Sequence, residues 1–146
     1  MKGKQNLTGA KMEVVIKEVR EIPKKQLMEL YKRNQWSSAE KPDLLYKALR
    51  NSHSLVSAWV GERMVGITNA ISDGCLVVYY PHMLVHPDYQ GKGVGRKMMD
   101  VMQKKYGDFH QQMLTADGNA VQFYNKCGFE RAGKTIPMWI YQGEDH

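Results

Sequence analysis

The spacing of apolar positions changes several times along the chain, and each change marks an element. Residues 13–20, Glu-Val-Val-Ile-Lys-Glu-Val-Arg, form a short β-branched run that predicts a first strand. Beyond Pro23 the spacing turns helical. Leu27, Met28, Leu30 and Tyr31 make one stripe, and a proline suits the start of a helix. Trp36-Ser37-Ser38-Ala39-Glu40 reads as a loop, and Pro42 opens a second helix with Leu44, Leu45, Ala48 and Leu49 on its inner face. Residues 54–60 and 63–71 read as paired strands joined by a two-residue Gly61-Glu62 turn. Ser72-Asp73-Gly74 makes another turn, leading through residues 75–78 to a strand predicted over residues 79–85.

His86-Pro87-Asp88 ends that strand, because the residue before a proline is held extended and proline donates no hydrogen bond. Val94, Met98, Val101 and Met102 then recur at helical spacing. Residues 113–116 predict a further strand, which should run parallel to 79–85 because a helix connects the two. Asp117-Gly118-Asn119 breaks it and is expected to cap a helix from Ala120 that stops at the αL terminator Gly128. A strand beginning at Phe129 and a last one over Met138-Trp139-Ile140-Tyr141 complete the pattern.

The chemistry concentrates at the junction Gln90-Gly91-Lys92-Gly93-Val94-Gly95, between strand and helix. A helix starts with unpaired N–H groups and partial positive charge. Glycines let backbone wrap closely round an anion, and Lys92, Arg96 and Lys97 add full charges. The junction is suited to a phosphate or pyrophosphate. Gly95-Arg96-Lys97-Met98 does not satisfy a P-loop, which ends in Gly-Lys-Ser/Thr. The Gly-x-Gly-x-Gly spacing also departs from the Gly-x-Gly-x-x-Gly of dinucleotide folds.

The 146 residues, 42% of them hydrophobic, suit one compact domain over residues 12–146, preceded by a polar, basic stretch at 1–11 expected to be a flexible tail. No apolar run approaches the ~20 residues of a membrane span. Cys75 and Cys127 give neither a disulfide framework nor a metal cluster, so no metal is expected and a reducing cytoplasm is the simplest compartment. A net charge of +6 suits a multiply phosphorylated cofactor as well as nucleic acid. The basic run lacks the interleaved aromatics of single-strand binders, and no nucleic-acid partner is expected.

Gln90-Gly91-Lys92-Gly93-Val94-Gly95, with Val85-His86-Pro87 before it, resembles the Q/R-x-x-G-x-G/A loop of the GNAT acyl-CoA N-acyltransferases. The block from Asn119 to Phe129 resembles their second signature, A-x-x-F/L-Y-x-x-x-G-F. The resemblance implies an α/β GNAT fold: a mixed, twisted sheet of six or seven strands flanked by four helices, its central strands splayed. It implies acetyl-CoA as cofactor, with Gln90, Gly91, Lys92, Gly93, Val94, Gly95 and Arg96 at the pyrophosphate. Backbone groups of Met83, Leu84 and Val85 would pair with the pantetheine arm as a missing strand would, and Asn119 or Asn125 would hold its other side. The segment between the first helices would cover the acceptor, bringing Tyr31 and Trp36 to it.

Acetyl transfer needs a neutral amine, a donor for the charge on the carbonyl oxygen and a proton for the leaving thiolate. Tyr124 occupies the family's tyrosine position and is the expected general acid. His82 is the candidate base, with a satisfied strand histidine as the alternative, since residues 79–85 hold no carboxylate. Ser57-Ala58-Trp59, Gly61, Val65-Gly66 and residues 71–74 resemble small GNAT proteins of plastids and bacteria, arylalkylamine-type enzymes among them. A small primary amine is therefore the expected acceptor, with Tyr79 and Tyr80 as further walls. A protein or peptide amine, and an acyl-CoA sensor without turnover, remain open. A homodimer is the expected assembly.

Overall fold

The computed structural model describes residues 13–144; the stretch expected to be a tail lies outside them. The elements are β1 (Val15–Lys17), α1 (Lys24–Arg33), a 3-10 turn (Ser37–Glu40), α2 (Pro42–Arg50), β2 (Ser54–Val60), β3 (Arg63–Ser72), β4 (Val77–Tyr79), β5 (Met83–Val85), a second 3-10 turn (Pro87–Tyr89), α3 (Val94–Lys105), β6 (Gln111–Met113) and α4 (Ala120–Lys126). The sheet runs β1-β2-β3-β4-β6, with β5 also paired to β3. All pairings are antiparallel except β4 with β6, as the α3 crossover requires.

Both faces of the sheet are buried. Ile22, Leu27, Leu30, Tyr31, Leu45 and Leu49, from α1, α2 and the segment before them, pack on Leu55, Trp59, Ile67 and Leu84. Met98, Met99 and Met102 of α3 pack on Val56, Ala58, Val65 and Val78 from the other side. Period-2 alternation in β2 feeds the two cores in turn, with a register shift between Ala58 and Trp59.

Several expectations are corrected. The strand foreseen over residues 79–85 is two strands, because Pro81 has no N–H for a ladder and interrupts the run at Tyr80-Pro81-His82. β1 stops at Lys17. Beyond it, Arg20 donates to the carbonyls of Arg50 (2.7 Å), Ser52 (2.6 Å) and His53 (3.0 Å), capping the end of α2 instead of continuing a ladder. β6 lies at residues 111–113 rather than 113–116. Leu44 is 64% exposed, so it stands on the outer face of α2.

Among the described residues no strand follows α4, so the sheet has six strands. Turns at Gly133 and Thr135, closed by the Arg131 and Ala132 carbonyls, lead the chain off the sheet. Met138 and Ile140, foreseen in a last strand, are more than 90% exposed. Among the described residues no helix is long and apolar enough to cross a membrane, and no group of His, Cys, Asp or Glu could hold a metal ion.

Candidate active site

Gly93 takes the N-cap of α3 with φ 84°, and Gly91 has φ 77°. Both conformations are left-handed, where a Cβ is strained, and no atom stands within 4 Å of a Cβ built at either residue. The loop therefore presents bare backbone at the point where the first-turn N–H groups of α3 emerge. These are the features a pyrophosphate cradle needs. Gly95 has a separate reason to be glycine: a Cβ there would lie 3.2 Å from the Phe123 ring, so its absence lets α4 close against α3. The two sequence signatures meet at this contact.

The polar side chains of the loop and the first turn of α3 differ in posture. Arg96 turns along the helix, its Nε donating to Asp100 at 3.1 Å, a mostly exposed pair. Gln90 turns inward. Its Nε2 donates to the Val85 carbonyl (2.9 Å) and to Asn34 Oδ1 (3.2 Å), while Asn34 Nδ2 donates to the same Val85 oxygen at 3.2 Å. Gln90 thus anchors the loop to β5. Asn34, the C-cap of α1, was not foreseen, and nothing in its sequence position signals the contact.

Beside the loop the sheet divides. β4 pairs with β6, and the Tyr80 N–H donates to the Met113 carbonyl; β5 pairs with β3 alone. The His86 N–H donates to Val65, and the His82 carbonyl accepts from Asn69. The two-residue period of the ladder then directs the Leu84 amide and carbonyl at Ile67. Met83 and Val85 point theirs the other way, into the gap, where the Val85 carbonyl is taken by Gln90 and Asn34.

His82 occupies the break between β4 and β5. Its N–H donates to Asn69 Oδ1 (3.2 Å), and its carbonyl accepts from Thr68 Oγ1 (2.7 Å). Its Nδ1 lies 2.7 Å from Tyr31 Oη. Trp36 meets the imidazole edge-on, with ring centroids 4.8 Å apart, so the Tyr31, Trp36 and His82 rings form one cluster. Burial pulls the His82 pKa down to about 4 and pushes the Tyr31 phenol up. Asn69 and Thr68, from β3, were also missed.

The His82 shift has a consequence for stability. The unfolded chain takes up the proton more readily, near the ordinary value of about 6.5. The contribution of neutral His82 is therefore complete above pH 6.5 and is lost as pH falls toward 4, on the order of 3 kcal/mol in all. Melting temperature should decline over that window, and His82→Gln should make the decline shallower. Identical pH profiles for the two proteins would contradict the assignment.

Tyr124, on α4, packs edge-on against Phe123 and Phe129, and burial pushes its pKa up to about 12, so it carries its proton at neutral pH. Asn119 is exposed and its side chain makes no cap hydrogen bond; within the foreseen cap the Asp117 carbonyl accepts from the Ala120 N–H. Asn125 is exposed on the same helix. Tyr80 is not a cleft wall. It is buried among Tyr106 and Phe129, with its hydroxyl donating to Gln112 at 2.7 Å. Tyr79, its neighbour on the strand, points oppositely and is 40% exposed, in a shallow depression with Ile71, Val77 and Met113. His86 is buried between Arg63 and the Asp88 amide and steadies the turn before the loop.

A sheet that divides beside a glycine-lined helix N-terminus defines an α/β protein of the acyl-CoA N-acyltransferase type. The chain belongs to the GNAT acetyltransferase family, whose domain model matches residues 18–137. It is similar to a GNAT family acetyltransferase from Streptococcus pneumoniae TIGR4, with a TM-score of 0.78 and 25% identity, over 89% of this chain and 99% of that one. An aminoglycoside N-acetyltransferase in complex with CoA shares the fold at a TM-score of 0.67 and 13% identity, over 89% of this chain and 94% of that one. By sequence the chain is 34% identical over 68 residues to an uncharacterized N-acetyltransferase, ycf52, of Gracilaria tenuistipitata var. liui, spanning 45% of this chain and 37% of that protein. It is 32% identical over 74 residues to the histone acetyltransferase TAP1 of Glycine max, spanning 47% of this chain and 31% of that protein. The matched region is thus about a third of each of these two relatives.

Proposed function

We propose that the protein is an acetyl-CoA-dependent N-acetyltransferase acting on a primary amine of a small molecule, by direct attack with both substrates bound. The observation that carries this reading is the bare, left-handed Gly91-Gly93 backbone at the N-terminus of α3, opening beside the divided sheet. Acetyl-CoA, when bound, supplies an activated thioester carbonyl. The amides at the start of α3 hold its pyrophosphate, with Lys92 adding charge. The Met83 and Val85 amides face the gap and hold the pantetheine arm, steadied from α4 by Asn119 or Asn125. Tyr124 holds a proton at Oη for the departing sulfur. Trp36 and His82 line the acceptor side with aromatic surface; Tyr31, foreseen there too, is fully buried behind them, and the amine loses its proton to solvent.

The test is CoA release from acetyl-CoA, followed by thiol detection, over a panel of amines: arylalkylamines, polyamines, amino sugars, aminoglycosides and a lysine peptide. An arylalkylamine should give the fastest acceptor-dependent rate. The peptide belongs in the panel because one relative is named a histone acetyltransferase, and a peptide-selective rate would replace the small-molecule reading. Heat stabilisation by acetyl-CoA without turnover of any amine would favour a sensor. Exposed Ile136, Met138, Trp139 and Ile140 support a homodimer as the assembly.

A further inference from the structure

The buried hydroxyl of Tyr31 decides what His82 can do. Tyr31 is fully buried, and among the described residues its hydroxyl has one hydrogen-bond partner, His82 Nδ1 at 2.7 Å. A phenol this deep must place its hydrogen on an acceptor, since leaving it unpaired costs roughly 1–3 kcal/mol. The other arrangement, Nδ1–H donating to the phenol oxygen, would leave the phenol hydrogen with nothing to bind. The Tyr31 O–H therefore donates to Nδ1, and in a neutral imidazole the remaining nitrogen then carries the hydrogen. Among the described residues His82 Nε2 has no hydrogen-bond partner, and the buried side-chain polar atom left unpaired is Ser38 Oγ, so Nε2 of the half-buried His82 keeps some exposure.

We propose that Tyr31 is a positioning residue that locks His82 in its Nε2–H tautomer, so that His82 offers the cleft a hydrogen-bond donor and not a base. The backbone grip on His82 serves the same end. Asn69 and Thr68 fix its N–H and carbonyl, and Trp36 fixes the ring from the side, so the donor's direction is set before any ligand arrives. The group it suits is an oxygen acceptor: the thioester carbonyl, on which charge grows during attack, or a hydroxyl or carbonyl oxygen of the acceptor molecule. A relay through the ring is closed, because a proton passed on from Nδ1 would end at the buried phenol. The ligand assignment rests on the acetyltransferase reading; the tautomer does not.

Nitrogen NMR of the histidine rings at pH 7, on the full chain, reads the tautomer directly and needs no activity. The wild-type protein should show His82 with hydrogen on Nε2, and Tyr31→Phe should give a mixture of tautomers. Hydrogen on Nδ1 in the wild type, or a tautomer unmoved by Tyr31→Phe in a protein that still folds, would overturn the proposal. Kinetics give the second arm. A glutamine side chain places an N–H near the Nε2 position but cannot act as a base at neutral pH. His82→Ala should lower kcat/KM at least thirtyfold, and His82→Gln should recover most of that loss. Equal losses in the two variants would mean that donation at Nε2 is not what His82 contributes. The source of the oxygen follows from adding acetyl-CoA or CoA: an Nε2 response to acetyl-CoA alone assigns it to the thioester, and no difference between the two assigns it to the acceptor.

Discussion

Gly93→Glu is expected to weaken CoA binding at least a hundredfold in calorimetry while leaving a cooperatively folded protein. Two effects act together at this position. The backbone there has φ 84°, and holding an L residue in that region costs on the order of 1–2 kcal/mol. The added carboxylate would stand in the open space over the loop, where the anion is proposed to sit, and would meet it as a like charge. Gly93→Ala separates the two, since it carries the strain without the charge and should lose much less affinity. If the glutamate variant binds CoA as the wild type does, the loop is not the pyrophosphate site.

Tyr124→Phe should lower kcat by about ten- to a hundredfold with little change in the KM for acetyl-CoA. General acids contribute roughly 10²–10⁴ in rate. A thiolate is a tolerable leaving group, a cysteine thiol for comparison having a pKa near 8.5, which places the expected loss at or below the low end of that range. With its own pKa pushed up to about 12, Tyr124 is protonated throughout the working range and ready to donate. The substitution removes one oxygen and keeps the ring contacts with Phe123 and Phe129, so the melting temperature should barely move. A variant with full kcat would remove Tyr124 from proton transfer, and a raised KM at unchanged kcat would make it a binding residue.

The parts of the fold that could be read from sequence are those where local chemistry and tertiary packing agree. The Gly61-Glu62 turn between β2 and β3, the stop of α4 before Gly128 (φ 97°) and the α3 stripe of Val94, Met98 and Met102 all depend on residues close in sequence. Tyr80 was misread because aromatic residues in a strand suit a wall and a core equally; only the alternation along β4 separates it from Tyr79. Pro81 was visible in the sequence, but the apolar run around it hid its effect. Leu44 misled because the apolar positions of a short helix fit more than one face. The segment after Phe129 has strand-like composition, and composition does not specify a pairing partner.

Within the candidate site, the glycine loop was legible because left-handed backbone strongly favours glycine. The contacts among Tyr31, Asn69 and His82 were not, since they join residues 13 to 51 positions apart. Gln90 lay between these cases: its place in the motif was plain, yet its side chain serves Val85 and Asn34.

That last arrangement has a mechanical consequence. One carbonyl oxygen, that of Val85, receives hydrogen bonds from the loop through Gln90 and from the end of α1 through Asn34. α1 also carries Tyr31. The glycine loop and the end of α1 are therefore tied to a single atom, so a displacement of the loop would be felt at the helix that carries Tyr31.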